Sequence, residues 1–215
     1  MSQSSIEYKG IGAQLDVNPT KRFEHLLVEL GRSGIDVYQP DMLHVTLVDP
    51  RDSVIPIYSE RDDRALEDVR ANVGKFLSGL HLGERVLRPD KPFLLPYGNN
   101  RKPKIGISVK NDDFLQETRN EVLAIYRDAR IAVQNKMPYS GHIVVGVKSS
   151  KFRNLDGPRS PFLHNQYKVP VDIHLSGFSI TETSNEVITQ NVRPHSQTRG
   201  DRRYRNQPGH FRRTI

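Results

Sequence analysis

Two short apolar stretches each carry a histidine out of phase with their aliphatic residues: Leu43-His44-Val45-Thr46-Leu47 and Gly141-His142-Ile143-Val144-Val145. Side chains on a strand alternate between faces with a period of two. Val45 and Leu47 therefore turn one way, and His44 and Thr46 the other. In the second stretch Ile143, Val145 and Val147 are expected on one face, with His142 and Val144 on the opposite one. Strands of this kind predict a sheet with one side in the core and the other open to a cleft.

The surroundings of the two histidines match. A predicted strand, Tyr8 to Val17, and a predicted helix, Thr20 to Arg32, precede His44. A strand at Pro103 to Lys110 and a helix at Asp112 to Arg130 precede His142. Aligning Gly12 with Gly106 makes the spacings to the two histidines similar, so the pattern reads as a duplicated strand-helix-strand unit. The expected fold class is α+β: two pseudo-symmetric lobes of antiparallel or mixed sheet backed by helices, with a central groove carrying both histidines. A lone histidine in an apolar strand is most simply a core residue bonded to a carbonyl. The matched pair makes function the better reading here.

The remaining chain reads as follows. Phe23, Leu26, Leu27 and Leu30 recur at helical spacing after Thr20, a capping residue. Ile35 to Gln39 is extended, and Arg51 to Ser59 is a loop containing Pro56. Leu66, Val69, Val73, Phe76, Leu77 and Leu80 line one side of a helix from about Asp62 to Leu80. Short strands are expected at Leu82 to Leu87 and Pro92 to Leu95, and Lys148 to Gln166 is a polar connection. In the last strand, Val169 to Ile180, the apolar Val169, Val171, Ile173 and Leu175 alternate with Asp172, His174 and Ser176.

The paired motifs resemble those of the 2H phosphoesterase superfamily, which includes the RNA 2',3'-cyclic phosphodiesterases once called 2'-5' RNA ligases. His44-Val45-Thr46-Leu47 is of the H-x-[ST]-x type, and Pro138-Tyr139-Ser140-Gly141-His142-Ile143-Val144-Val145-Gly146 is similar in style to the second motif of that family. The likeness covers roughly residues 8 to 182. It implies a phosphodiesterase acting on RNA or an oligonucleotide, at a 2',3'-cyclic phosphate or a 2'-5' linkage, with no metal and no cofactor. Cyclic oligonucleotide signals form a second substrate class with the same chemistry. His44 and His142 would be general acid and base in an order the motifs leave open. Thr46 would donate to a phosphate oxygen.

The second motif departs from the family in having Val144 where the family has Thr or Ser. Val144 has no proton to donate. Ser140 and Tyr139 could substitute, and His174-Leu175-Ser176 is a rival second motif that keeps the hydroxyl. Should the sheet order bring His174 beside His142, Ser176 could supply the missing donor. A catalytically weakened RNA-binding protein on the same fold is the alternative that Val144 favours. Tyr97, Phe93, Lys104, Arg101 and Arg153 are further candidates to line the cleft, where they could stack bases or hold phosphates.

Charge divides the chain. Of the net +7, residues 191 to 215 contribute most, with seven arginines against one aspartate. The expected division is therefore a phosphoesterase-like domain at residues 1 to 185 and a basic tail at residues 186 to 215, with order ending after Thr183. Arg199, Arg202, Arg203 and Arg205 could make non-specific contacts with nucleic-acid phosphate. There is no cysteine, which removes disulfides and thiolate chemistry. The polar first residues and the lack of any long apolar run predict a soluble cytoplasmic protein without membrane contact.

Overall fold

Val45 and Ile143, the aliphatic residues that follow the two histidines, are both 0% exposed and pair with each other at the centre of a sheet. The computed structural model describes residues 4–32, 34–95, 103–110, 113–134, 141–149 and 173–189. Their elements run β1 (Ser4–Pro19), α1 (Lys21–Arg32), β2 (Ile35–Val37), β3 (His44–Val48), β4 (Ile55–Ile57), α2 (Glu60–Ser78), β5 (Val86–Leu87), β6 (Pro89–Leu95), β7 (Lys104–Val109), α3 (Asp113–Asp128), β8 (His142–Lys148) and β9 (Ile173–Thr189). The fold is α+β. Among the described residues the strands form a 9-stranded sheet ordered β5-β9-β1-β3-β8-β7-β6, with β2 added to β8 and β4 to β1.

The two histidine strands meet through the single recorded pair Val45↔Ile143. On either side of that seam the pairing repeats. β1 lies antiparallel to β3, and β7 lies antiparallel to β8. The ladder between β1 and β3 steps from Gln14↔Thr46 to Ala13↔Val48, which leaves Leu47 as an extra residue. The ladder between β7 and β8 steps from Gly106↔Val144 to Ile105↔Gly146, which leaves Val145 extra. Each bulge falls three residues after its histidine. The duplication is thus written in the register, and the halves join into one continuous sheet. The structural counterpart of Gly106 is Gln14, two residues beyond the Gly12 that the sequence spacing suggested.

One face of this sheet is buried. Ala13, Leu15, Val45, Leu47, Ile105, Ile107, Ile143, Val145, Ile173 and Leu175 share a core with Phe23, Leu27 and Leu30 of α1, Leu66, Val69, Val73 and Leu77 of α2, and Leu115, Val122 and Tyr126 of α3. Each large side chain so buried stabilises the fold by roughly 1.5–3 kcal/mol relative to exposure. The helices present these residues at spacings of three and four, as the amphipathic pattern dictates.

Several boundaries differ from the sequence expectation for local reasons. α2 starts at Glu60 because Asp62 Oδ2 accepts from Ser59 N at 3.0 Å, as the third residue of a capping box does. Leu82–Glu84 forms a 3-10 turn, so only Val86–Leu87 remains strand. The loop expected around Pro56 contains β4, which pairs with the edge of β1 beyond β3. Proline lacks an N–H and is tolerated on such an edge. β9 runs to Thr189, past the expected limits at residues 183 and 185, because β1 pairs with it along its whole length to Ser4↔Thr189. No helix among the described residues is long and apolar enough to cross a membrane.

Two buried polar side chains of α3 serve the backbone of the sheet. Arg119 Nε donates to Leu47 O at 3.0 Å, and Leu47 is the bulged residue of β3, which a regular ladder leaves unpaired. Tyr126 Oη donates to Ile11 O at 2.7 Å, and burial pushes its phenol well above the usual tyrosine range.

Replacing Arg119 with Met leaves the Leu47 carbonyl unsatisfied and is expected to cost about 1–3 kcal/mol, read as a lowered urea midpoint. The raised Tyr126 value fixes the sign of an alkaline effect. The folded state holds the neutral phenol, so this contribution is intact below about pH 10, the unfolded value. It is lost as pH rises from there through the higher folded value. Denaturant melts between pH 8 and 11.5 should show that decline, and Tyr126→Phe should flatten it.

Candidate functional site

Alternation sets the two faces of the central strands. His44 and Thr46 are half-buried while Val45 and Leu47 are buried. His142 and Val144 are half-buried while Ile143 and Val145 are buried. One step either way from Val45↔Ile143, the antiparallel register sets His44 beside Val144 and Thr46 beside His142. The two histidines are therefore diagonal neighbours on the open face. Such a diagonal spans about 7–8 Å between Cα atoms in a regular ladder, a separation that one phosphate between two imidazoles can bridge.

The flanking strands complete this face. Asp16 lies opposite His44 and Gln14 opposite Thr46. Ser179 lies opposite Gln14 on β9, and its Oγ donates to Asp16 Oδ1 at 2.5 Å. On the other side, Ser108 lies opposite His142 and Gly106 opposite Val144. Phe93 of β6 lies opposite Gly106.

Each histidine ring has its own support. A 3-10 turn at Pro40–Met42 precedes β3, and His44 Nδ1 lies 2.9 Å from Met42 O. A carbonyl only accepts, so Nδ1 carries the proton in this contact. The neutral ring then presents the lone pair of Nε2. The ring of His142 meets Phe93 edge to face, with centroids 5.5 Å apart and planes at 79°.

Past β3 the chain folds back over β1. A Cβ on Gly12 would lie 2.4 Å from Pro50 Cδ, so only glycine allows this approach. Asp49, at the start of that loop, accepts from Arg51 N at 2.9 Å and from Arg51 Nε at 2.8 Å. Burial raises its carboxyl, but the Arg51 hydrogen bonds and the charges of Arg51 and Lys104 outweigh it and hold Asp49 below the usual carboxylate range.

His174 and Ser176 are both exposed on β9, and β1 and β3 separate that strand from β8. At about 4.8 Å per strand the gap is roughly 14 Å, so Ser176 cannot supply a donor beside His142. The bulge at Val145 also moves Val147, which pairs with Lys104 and is half-buried rather than facing the core with Ile143. Tyr139, Ser140, Tyr97, Arg101 and Arg153 lie outside the described residues, as do Arg199, Arg202, Arg203 and Arg205.

Gln14, Asp16, Ser108 and Ser179 were not singled out in the sequence, and Gly106 entered only as a landmark of the duplication. The period-two pattern of Ala13 to Val17 turns Gln14 and Asp16 away from the core, and that of Ile105 to Val109 does the same for Gly106 and Ser108; Ser179 lies on β9, opposite Gln14. Only the strand order, which no local pattern encodes, brings them beside the histidines.

The Met42 contact predicts one tautomer. Long-range proton–nitrogen NMR at a pH where His44 is neutral should show Nδ1 protonated and Nε2 bare; the opposite pattern would contradict the hydrogen bond.

No protein-family model matches the sequence, and no curated protein does. Among solved structures, the chain is similar to E. coli LigT complexed with 3'-AMP, at 11% identity and a TM-score of 0.47, over 85% of this chain and 96% of that one. It is similar to Kluyveromyces marxianus Usb1, at 9% identity and a TM-score of 0.44, over 70% and 74% of the two chains. It is also similar to the PDE domain of MHV ns2, at 11% identity and a TM-score of 0.41, over 81% and 98%. These three solved structures are members of the 2H phosphoesterase superfamily.

Proposed function

We propose that the chain is a phosphodiesterase that cleaves an RNA or oligonucleotide phosphodiester, with His44 and His142 exchanging the protons. The observation that supports this reading is the register at the seam, Val45↔Ile143, from which His44 and His142 follow as diagonal neighbours on one face of the sheet. The matching bulges after the two histidines support treating them as a functional pair.

Hydrolysis of a phosphodiester removes a proton from the attacking water and delivers one to the departing ribose oxygen. With Nδ1 engaged by Met42 O, His44 Nε2 is the atom that takes the water's proton. His142 protonates the leaving oxygen as its bond to phosphorus breaks. Thr46 Oγ1 donates to a non-bridging oxygen, on which negative charge grows. A nucleoside 2',3'-cyclic phosphate then yields a phosphomonoester and a free ribose hydroxyl. A 2'-5' linkage and a cyclic oligonucleotide offer the same bond to the same groups. Arg199, Arg202, Arg203 and Arg205 are proposed to add sequence-independent phosphate contacts to a longer strand.

Val144 favours a second reading, an RNA-binding protein with little turnover. A missing oxyanion donor removes about 2.7–4 kcal/mol of transition-state stabilisation.

A nucleoside 2',3'-cyclic phosphate incubated with the full chain and a chelator separates the two. Hydrolysis is expected, with His44→Ala and His142→Ala each lowering turnover by roughly 10²–10⁴-fold and Thr46→Val by roughly 10²–10³-fold. A wild-type chain that binds RNA but leaves the cyclic phosphate intact supports the second reading instead.

A further inference from the structure

The two halves of the sheet can be compared place by place, because the register relating them is known on both sides. Thr46 corresponds to Val144, Gln14 to Gly106, and Ser179 to Phe93. These three polar side chains of the His44 half have apolar or absent counterparts in the His142 half, whereas Asp16, opposite His44, corresponds to Ser108, opposite His142. These differences depend on one another. A Cβ at position 106 would lie 2.9 Å from Phe93 Cζ and 3.0 Å from Cε1, so the ring occupies that place only because residue 106 is glycine. The same ring meets His142 nearly at a right angle, 5.5 Å away between centroids. Phe93 and Val144 are both half-buried; each keeps apolar surface for something else to cover.

We propose that the His142 half of the open face is a seat for a nucleobase of the substrate. Phe93, Val144 and Gly106 thereby fix which way round the phosphodiester lies. The inference rests on the phosphodiesterase reading given above. A phosphate's charged oxygens gain nothing from Val144 or Phe93, and they face Thr46, where a hydroxyl can donate. In the proposed substrate class, the flat unsaturated part attached within a few ångströms of that phosphate is the base, and a base has a π-face to lay against an aromatic ring. Val144 is, on this account, the wall of the seat, and the second phosphate donor is not simply missing.

The test compares uridine 3'-phosphate with 1-O-methylribose 3-phosphate, which carries no base, by calorimetry on the full chain. The wild type is expected to bind the nucleotide roughly tenfold more tightly. Phe93→Ala should bring the two ligands to within about twofold, and Phe93→Tyr should keep the preference. Gly106→Ala, which displaces the ring without removing it, should lower the preference as well, with circular dichroism reporting that each variant is folded. Val144→Thr should leave hydrolysis of a nucleoside 2',3'-cyclic phosphate no faster than wild type. Equal wild-type affinities, no binding of either ligand, or a proportionate loss for both in Phe93→Ala would overturn the seat. So would a gain in turnover of tenfold or more in Val144→Thr, since phosphate would then reach that side. A wild type that hydrolyses nothing but still prefers the nucleotide defeats the catalytic reading and leaves the seat standing.

Discussion

The packing of Val45 against Ile143 decides the rest of the molecule. Both side chains are fully buried, and theirs is the single pairing recorded between the two histidine strands. Because strand side chains alternate, burying these two residues turns the residues before them outward together. Slipping one strand by one residue would send a histidine into the core and a valine to the surface. The free energy of the hydrophobic face is thus what holds the open face in register.

Bulges on both sides of this seam loosen the ladder at equivalent places, after Thr46 and after Val144. A bulge bends and twists its strand. It also frees backbone groups, and in β3 the freed carbonyl is met by Arg119 from α3. A buried guanidinium is costly unless its bonds are made. Its position ties the helix layer to the strand that carries His44. The helix behind the sheet therefore bears on the geometry in front of it.

The strands that carry the histidines were legible because aliphatic alternation is a strong local signal, as in His44 to Leu47. The helices were legible from spacing, as with Leu66, Val69, Val73 and Leu77. What the chain did not disclose is what depends on strands distant in sequence. Nothing around Leu47 or Val145 announces a bulge, so Val147 was given the wrong face. Nothing near Ser176 tells that β1 and β3 stand between it and His142. β4 was hidden by Pro56, whose missing N–H matters only for an inner strand. The polar environment of His44 was half visible. Gln14 and Asp16 alternate with Ala13, Leu15 and Val17, but their partner strand could not be read from them.

β1 and β9 stay zipped from Pro19↔Ile173 to Ser4↔Thr189. Asp16, opposite His44, is twelve residues from Ser4 on that ribbon. At about 3.3 Å per residue this is roughly 40 Å of strand. Before Glu7, where β4 stops pairing with β1, Ser4–Ile6 and Val187–Thr189 have only each other as strand partners among the described residues. The end of the ribbon and the histidine face are thus two separate places on one strand, joined along the backbone of β1.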